Sequence, residues 1–124
     1  MQLERLDLHG YTLTDAMVRF IRKYNWLVGQ GRGRGGEIRA LQVIHGKGMA
    51  GSESIIRETL RDFLRSQGTR MKGFDAQLAV RGADYLFEGS GKLAYMHGED
   101  VDRNGGQTIV VPMQHLRLPA EWTR

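Results

Sequence analysis

Two residues near the amino terminus form a pair whose types and spacing suit acid–base chemistry. Asp7 and His9 stand two apart in the alternating stretch Leu3-Glu4-Arg5-Leu6-Asp7-Leu8-His9. Residues two apart in a strand project from the same face, so the carboxylate and the imidazole lie side by side, while Leu6 and Leu8 turn toward the helices. A neighbouring carboxylate can fix the tautomer of an imidazole and raise its basicity. The alternative is a polar strand end that faces water.

A second segment, His45-Gly46-Lys47-Gly48, stands between a predicted strand and a predicted helix. Glycines there allow backbone N–H groups to approach an anion, Lys47 adds a positive charge, and the start of the helix adds a favourable dipole. The segment is not a Walker A loop, because Gly-x-x-x-x-Gly-Lys-Ser/Thr is absent. Strict alternation places His45 on the face of Leu41 and Val43, so its ring points inward unless the strand ends before it.

A basic loop is predicted over residues 29–36, where five glycines surround Arg32 and Arg34. Such a run holds neither a helix nor a strand well. The chain carries 18 Lys and Arg against 14 Asp and Glu, and the excess is uneven. Residues 1–72 hold 13 basic and 7 acidic side chains, whereas residues 73–124 hold 5 and 7. This asymmetry favours an anionic partner, against the alternative of a solvated charged surface.

The elements that must position these residues follow from the hydrophobic pattern. A strand over 3–9 ends at Gly10, and Thr12 and Asp15 have the spacing of a capping box for a helix at about 13–26. A second strand over about 38–45 leads to a second helix, which opens at Gly51-Ser52 and ends at Gly68. This order predicts a parallel strand pair with a right-handed crossover. Asp7, His9 and His45 then meet at the carboxyl ends of the strands, where open α/β sheets bind ligands.

The remainder of the chain predicts further strands and no second domain. The strand candidates are 74–80, 84–88, 92–97 and 107–112, with Gly89-Ser90-Gly91 as a hairpin turn between the middle two. Pro112 indicates that the last strand is an edge or finishes there. We therefore expect one α/β domain over 1–124, a two-layer sandwich in which a βαβα unit is followed by additional strands of a mixed sheet.

Composition excludes several classes of protein. The 124 residues contain no cysteine, which excludes disulfides, thiolate nucleophiles and zinc or iron–sulfur sites that need Cys ligands. No apolar run approaches the ~20 residues of a membrane span, and the start of the chain does not read as a secretory signal. We expect a cytoplasmic protein that does not bind membranes.

The motifs together resemble the Smr (small MutS-related) domain family. The resemblance rests on Leu6-Asp7-Leu8-His9-Gly10 before a helix, on His45-Gly46-Lys47-Gly48 before a second helix, and on Gly105-Gly106 before the strand that follows. It covers about residues 5–111. It implies a fold like that of the C-terminal domain of bacterial translation initiation factor 3. It also implies nucleic-acid binding and, in several members, endonuclease activity on DNA or RNA.

The sequence departs from the family pattern in two places. Residues 82–104 add what reads as an extra hairpin between the third strand and the Gly-Gly pair. The usual Gly-Gly-x-Gly-Ala/Ser-Thr pattern is shortened to Gly-Gly-Gln-Thr, which affects the role of the last loop.

The favoured function is an endonuclease that nicks or cleaves phosphodiester bonds. Asp7 then orients His9, His9 is the general base, and His45 is an acid or a phosphate ligand. Lys47 and the amides of Gly46 and Gly48 hold the phosphate. Further nucleic-acid contacts are predicted at Arg32, Arg34, Gly105 and Gly106.

Metal use and the main alternatives stay open at this point. Asp7, His9 and His45 could instead bind Mg²⁺ or Mn²⁺, which would activate water. A non-catalytic nucleic-acid-binding module would use the same basic, glycine-rich loops. A small-molecule phosphate binder is a third alternative. The oligomeric state is not predicted.

Overall fold

The computed structural model describes residues 2–31, 33–46, 51–70, 93–100, 103–112 and 115. Its strands are β1 (Gln2–Asp7), β2 (Arg39–Ile44), β3 (Gly68–Arg70), β4 (Leu93–His97) and β5 (Gln107–Pro112). Its α-helices are α1 (Leu13–Gln30) and α2 (Gly51–Gln67), and 3-10 turns lie at Arg34–Gly36 and Gly98–Asp100. The elements give an α/β fold of two layers, with both helices on one face of a mixed sheet.

The five strands lie in the order β1-β2-β5-β4-β3. β1 and β2 are parallel and pair from Gln2 with Arg39 to Asp7 with Ile44, so the predicted parallel pair is confirmed. β5 runs antiparallel to both β2 and β4. It therefore occupies the centre of the sheet, and of the two alternatives for Pro112 the strand end is correct.

Helix α1 begins where the capping signal predicts, but it ends later in the chain than predicted. The Thr12 hydroxyl accepts a hydrogen bond from the Asp15 N–H at 3.3 Å. The helix continues to Gln30, past the predicted end at about 26, because Leu27 extends the apolar stripe and is fully buried. Gly31 ends it with φ +68°, a conformation that favours glycine.

The sheet is buried on both faces. The cluster on the helix face includes Leu8, Phe20, Val43, Leu60 and Val110. The opposite face carries a second cluster, made of Ile38, Ala40, Ala94, Met96, Ile109 and Val111. Alternation along β2 and β5 assigns each residue to its face, as the sequence pattern predicts.

The second half of the chain differs in part from the predicted strands. β4 and β5 confirm the predictions at 92–97 and 107–112. β3 follows α2 without a loop and pairs in parallel with β4. Gly68 makes this turn possible, because a Cβ there would collide with the Leu93 carbonyl. The predicted strands at 74–80 and 84–88 and the turn at 89–91 lie outside the described residues.

Candidate nucleic-acid site at the carboxyl ends of β1 and β2

The ends of β1 and β2 bring the first two motifs together. The Leu8 N–H donates to the Ile44 carbonyl at 2.7 Å, which continues the strand pairing beyond Asp7. His9, the residue after Leu8, therefore lies beside His45, the residue after Ile44. This is the sheet edge at which open α/β sheets bind ligands.

Asp7 and His9 are both exposed at this edge, and a hydrogen bond links them through the backbone. The His9 N–H donates to Asp7 Oδ1 at 2.9 Å, the geometry of an Asx turn. The other Asp7 oxygen lies 3.9 Å from an Arg5 guanidinium nitrogen. Gly10 then adopts φ +85° and turns the chain toward α1. The Asp7 carboxylate thus fixes the turn that presents His9. The predicted action of Asp7 on the imidazole itself stays a prediction.

His45 points inward, the alternative that strict alternation indicates. Its side chain is fully buried between the sheet and α2. Nδ1 lies 2.7 Å from the Gly46 carbonyl, and Nε2 lies 2.8 Å from Thr108 Oγ1. The carbonyl can only accept, so Nδ1 carries the ring proton. Arg61 Nε donates to the same Thr108 oxygen at 3.1 Å, and the hydroxyl proton therefore goes to Nε2.

The protonation state of His45 follows from this environment. Burial lowers the pKa of His45 from 6.5 to about 4; the charges of Arg61 and Arg57 also lower it, and the Gly46 hydrogen bond and Glu99 oppose them. His45 is therefore neutral at pH 7, with both ring nitrogens engaged. The proton on Nδ1 of a neutral ring is not acidic at pH 7, which weighs against the predicted role of His45 as an acid.

An ion-pair network ties α2 to this part of the sheet. Arg61 is 6% exposed and donates to both carboxylate oxygens of Glu99, at 2.8 and 3.0 Å, and to the Gln107 carbonyl at 3.1 Å. Arg57 donates to Glu99 as well, at 3.2 Å. The Arg61 hydrogen bond lowers the pKa of Glu99 to about 2. The network holds Thr108 in place and, through it, the His45 ring.

The Gly-Gly pair packs against the His45-Gly46 turn. The N–H groups of His45 and Gly46 donate to the Gly106 carbonyl at 3.0 and 3.1 Å. Gly46 adopts φ +87°, which favours glycine. The predicted use of the Gly46 amide for phosphate therefore differs from the structure, where this amide serves the turn. Gly105 precedes Gly106 in the same loop, and a Cβ added to Gly105 would just touch the Glu99 side chain at ordinary van der Waals distance.

The remaining predicted phosphate contacts do not lie at this edge or are outside the described residues. Arg34 is exposed in a 3-10 turn before β2. It therefore lies at the opposite end of that strand from His45, and the chain from Arg39 to His45 alone spans about 20 Å at 3.3 Å per residue. Arg32, Lys47 and Gly48 are outside the described residues.

A family model for the Smr domain matches residues 6–96, well over half of the chain. The chain belongs to the Smr domain family. The match contains Asp7, His9 and His45 and stops short of Gly105-Gly106, which the structure nevertheless places against the His45-Gly46 turn. Searches of curated proteins and of solved structures give no match. Smr membership supports nucleic-acid binding as the general function.

Sequence reasoning missed three residues of this Smr domain that organise the edge: Arg61, Glu99 and Thr108. One signal was available. Arg57, Leu60, Arg61 and Leu64 share one helical stripe, and an arginine within an apolar stripe indicates a buried ion pair. Thr108 and Glu99 carry no comparable local signal, because only the sheet order brings them to α2.

The residues proposed as metal ligands do not fit one site. Asp7 pairs in register with Ile44 and lies on the sheet face opposite to His45. Both ring nitrogens of His45 are engaged in hydrogen bonds. Across the described residues, no group of three or more His, Asp or Glu side chains could hold a metal ion.

Within the same residues, neither helix has the length and hydrophobicity to cross a membrane.

Proposed function

We propose that this Smr domain is an endonuclease that cleaves phosphodiester bonds at the edge formed by the ends of β1 and β2. The observation that carries the proposal is the arrangement of the three motifs. The exposed Asp7-x-His9 turn stands beside the His45-Gly46 turn, which in turn is bonded to Gly106. An exposed imidazole thereby stands at this edge of the sheet, where a substrate can reach it.

His9 is the proposed general base. Phosphodiester cleavage needs a base that removes a proton from the attacking oxygen, and an exposed imidazole suits this task near neutral pH. Asp7 is a positioning residue, since its Oδ1 accepts the His9 N–H and so sets the direction of the turn. His45 is a positioning residue as well, because its ring anchors the Gly46 carbonyl from inside the fold.

The phosphate is proposed to bind where the chain enters α2. Lys47 supplies positive charge, and the amides between Gly48 and the first turn of α2 supply donors and a favourable dipole. Gly46, the last described residue before this segment, has a φ of +87°. No step is assigned to a metal ion, because the proposed ligands lie on opposite faces of the sheet.

A second candidate, a binding module without catalysis, is favoured by one observation. The Asp7 hydrogen bond ends on the His9 backbone, which a purely structural turn would also show. Under this alternative the edge binds the nucleic-acid backbone and does not cleave it.

One experiment separates the two candidates. Supercoiled plasmid and single-stranded RNA are incubated with purified wild type in EDTA, Mg²⁺ or Mn²⁺, and binding is measured in parallel by anisotropy. His9→Ala and Gln67→Ala, an exposed position at the end of α2, are purified in the same way. We expect cleavage by wild type and by Gln67→Ala and loss of cleavage in His9→Ala. Binding without cleavage by any of the three would favour the module, and equal cleavage by all would indicate a contaminating nuclease.

A further inference from the structure

A groove runs along the outer side of α1, beside the edge strand β1. It has a volume of about 440 Å³ and is lined by Leu6 and by an α1 stripe from Asp15 to Trp26. The stripe residues recur at helical spacing of three and four, opposite the core stripe that contains Phe20. At 1.5 Å per residue the stripe is about 16 Å long, enough for several nucleotides. We call this feature the α1 groove.

The groove is positively charged. Arg19, Arg22 and Lys23 line it against the one carboxylate of Asp15. Within the residues that the structure describes, none of these three cations has an ion-pair partner. The arginines of α2 differ, because Arg57 and Arg61 pair with Glu99, and Arg65 pairs with Asp62. Within the described residues, α1 therefore carries three basic side chains that no ion pair compensates.

Exposed aromatic surface accompanies the charge. Trp26 is 43% exposed, although its size would normally place it in a core. Lys23 Nζ lies 4.1 Å from the centre of its ring. Val18, 41% exposed, adds an apolar patch in the same groove. Cations beside an exposed ring are the features that bind single strands, whose bases are free to stack, whereas the bases of a duplex are not.

The α1 groove is continuous with the proposed cleavage edge. Leu6, at one side of the groove, lies near the carboxyl end of β1, although its side chain and that of Asp7 project from opposite faces of the sheet. The Arg19 guanidinium lies 4.2 Å from the centre of the Tyr11 ring, and Tyr11 follows His9 by two residues. A strand that occupies the groove can therefore pass directly to the Asp7-x-His9 turn.

We propose that the α1 groove binds a single-stranded segment of nucleic acid, with its phosphates on Arg22 and Lys23 and a base stacked on Trp26. The proposal rests on the proposed function in one respect, that the ligand is nucleic acid. It adds a binding surface outside the three motifs and a preference for single strands. The three cations disfavour cationic ligands and favour anionic ones.

The test uses binding and fluorescence, neither of which depends on cleavage. Short labelled oligouridine, oligothymidine and a duplex of equal length are titrated against wild type, Trp26→Ala, Trp26→Phe and the double variant Arg22→Gln/Lys23→Gln. Ile21→Ala and Arg65→Gln are the matched controls, since Ile21 is exposed on α1 outside the groove and Arg65 is exposed on α2. In a Trp122→Phe background, Trp26 is the one tryptophan left and reports stacking by quenching.

If the α1 groove binds single strands, each variant and each oligonucleotide has its own expected result. Trp26→Ala weakens single-strand binding by about 5- to 100-fold, and Trp26→Phe retains most of it. The double variant reduces the log–log salt slope by about 1.4, or ~0.7 for each phosphate contact. Both control variants bind as wild type, and single strands quench Trp26 more than the duplex does. The oligouridine and oligothymidine arms distinguish RNA from DNA as the source of the strand.

Three results would overturn the inference. If wild type binds single strands but the groove variants bind equally well, the α1 groove is not the site, and the proposed function is unaffected. If polyglutamate quenches Trp26 and displaces the oligonucleotide, the groove serves an acidic protein instead. If wild type binds none of the nucleic acids, the proposed function fails together with the groove.

Discussion

At the residue scale, Asp7 and His45 both use their polar atoms to hold the backbone. Asp7 accepts from the His9 N–H, and the neutral His45 ring bridges Thr108 and the Gly46 carbonyl. His9 is the remaining imidazole of the two motifs, and it is exposed where a substrate can reach it. The proposed function therefore assigns two positioning residues and one base to this edge.

The role of Asp7 is testable by two substitutions. Asp7→Asn keeps an oxygen that can accept from the His9 N–H, so we expect it to lower cleavage by much less than the about 10²–10⁴-fold that a general base contributes. Asp7→Ala removes the acceptor, and we expect it to lower cleavage more than Asp7→Asn does. Single-turnover cleavage rates measure both. Equal, large losses in Asp7→Asn and His9→Ala would show instead that the Asp7 charge acts on the imidazole.

His45 makes stability depend on pH. Its pKa is about 4 in the fold against 6.5 for an ordinary histidine, so between these values the unfolded chain binds more protons than the folded one. The contribution of His45 to the free energy of unfolding is therefore fully present above pH 6.5. It is lost progressively as the pH falls from 6.5 toward 4. The loss from His45 between pH 7 and 5 is about 2 kcal/mol. Burial also lowers the pKa of His97 to about 4, which adds a loss of the same sign.

Urea unfolding at pH 7 and pH 5 measures this effect. His45→Gln lacks the titrating ring, so we expect its loss of stability over this interval to be smaller than that of wild type by the His45 share. The pKa of Glu99 is about 2, so its contribution to the free energy of unfolding is lost only below the interval between pH 7 and pH 5. An unchanged pH dependence in His45→Gln would contradict the buried, neutral state assigned to His45.

At the element scale, α2 is fastened to β5 by Arg61. The guanidinium reaches Thr108, the Gln107 carbonyl and Glu99, so one side chain joins the helix, the central strand and the turn after β4. We expect Arg61→Met to lower the free energy of unfolding by about 2–4 kcal/mol, since it leaves buried polar groups without partners. Because the Glu99 side chain is partly exposed, water can replace the hydrogen bonds that it loses, which limits the loss of stability in Arg61→Met.

Arg65→Met is the matched control for that prediction, measured by the same urea unfolding. Arg65 lies on the same helix and pairs with the exposed Asp62, a kind of pair worth less than about 1 kcal/mol. Equal stability of Arg61→Met and Arg65→Met would show that the buried network does not hold α2 to the sheet.

At the scale of the whole molecule, the first half of the fold was predictable because its signals are local. Alternation and helical spacing define β1, α1, β2 and α2, and short-range rules make the strand pair parallel. The central position of β5 was not predictable, because it depends on pairing between residues more than sixty apart, such as Val43 and Thr108. Alternation along β2 indicated that His45 is buried. Its partners Thr108 and Arg61 could be identified only once the order of the strands was known.

The role of His9 as the base is measured by single-turnover cleavage of a substrate by wild type and His9→Ala, at saturating protein and with the Kd of each measured separately. We expect His9→Ala to cleave about 10²–10⁴-fold more slowly while its Kd changes little, because a general base acts on the reaction and not on binding. Gln67→Ala, prepared alongside, should match wild type in both quantities. A His9→Ala protein that cleaves at the wild-type rate would contradict the assignment of His9 as the base of this Smr domain.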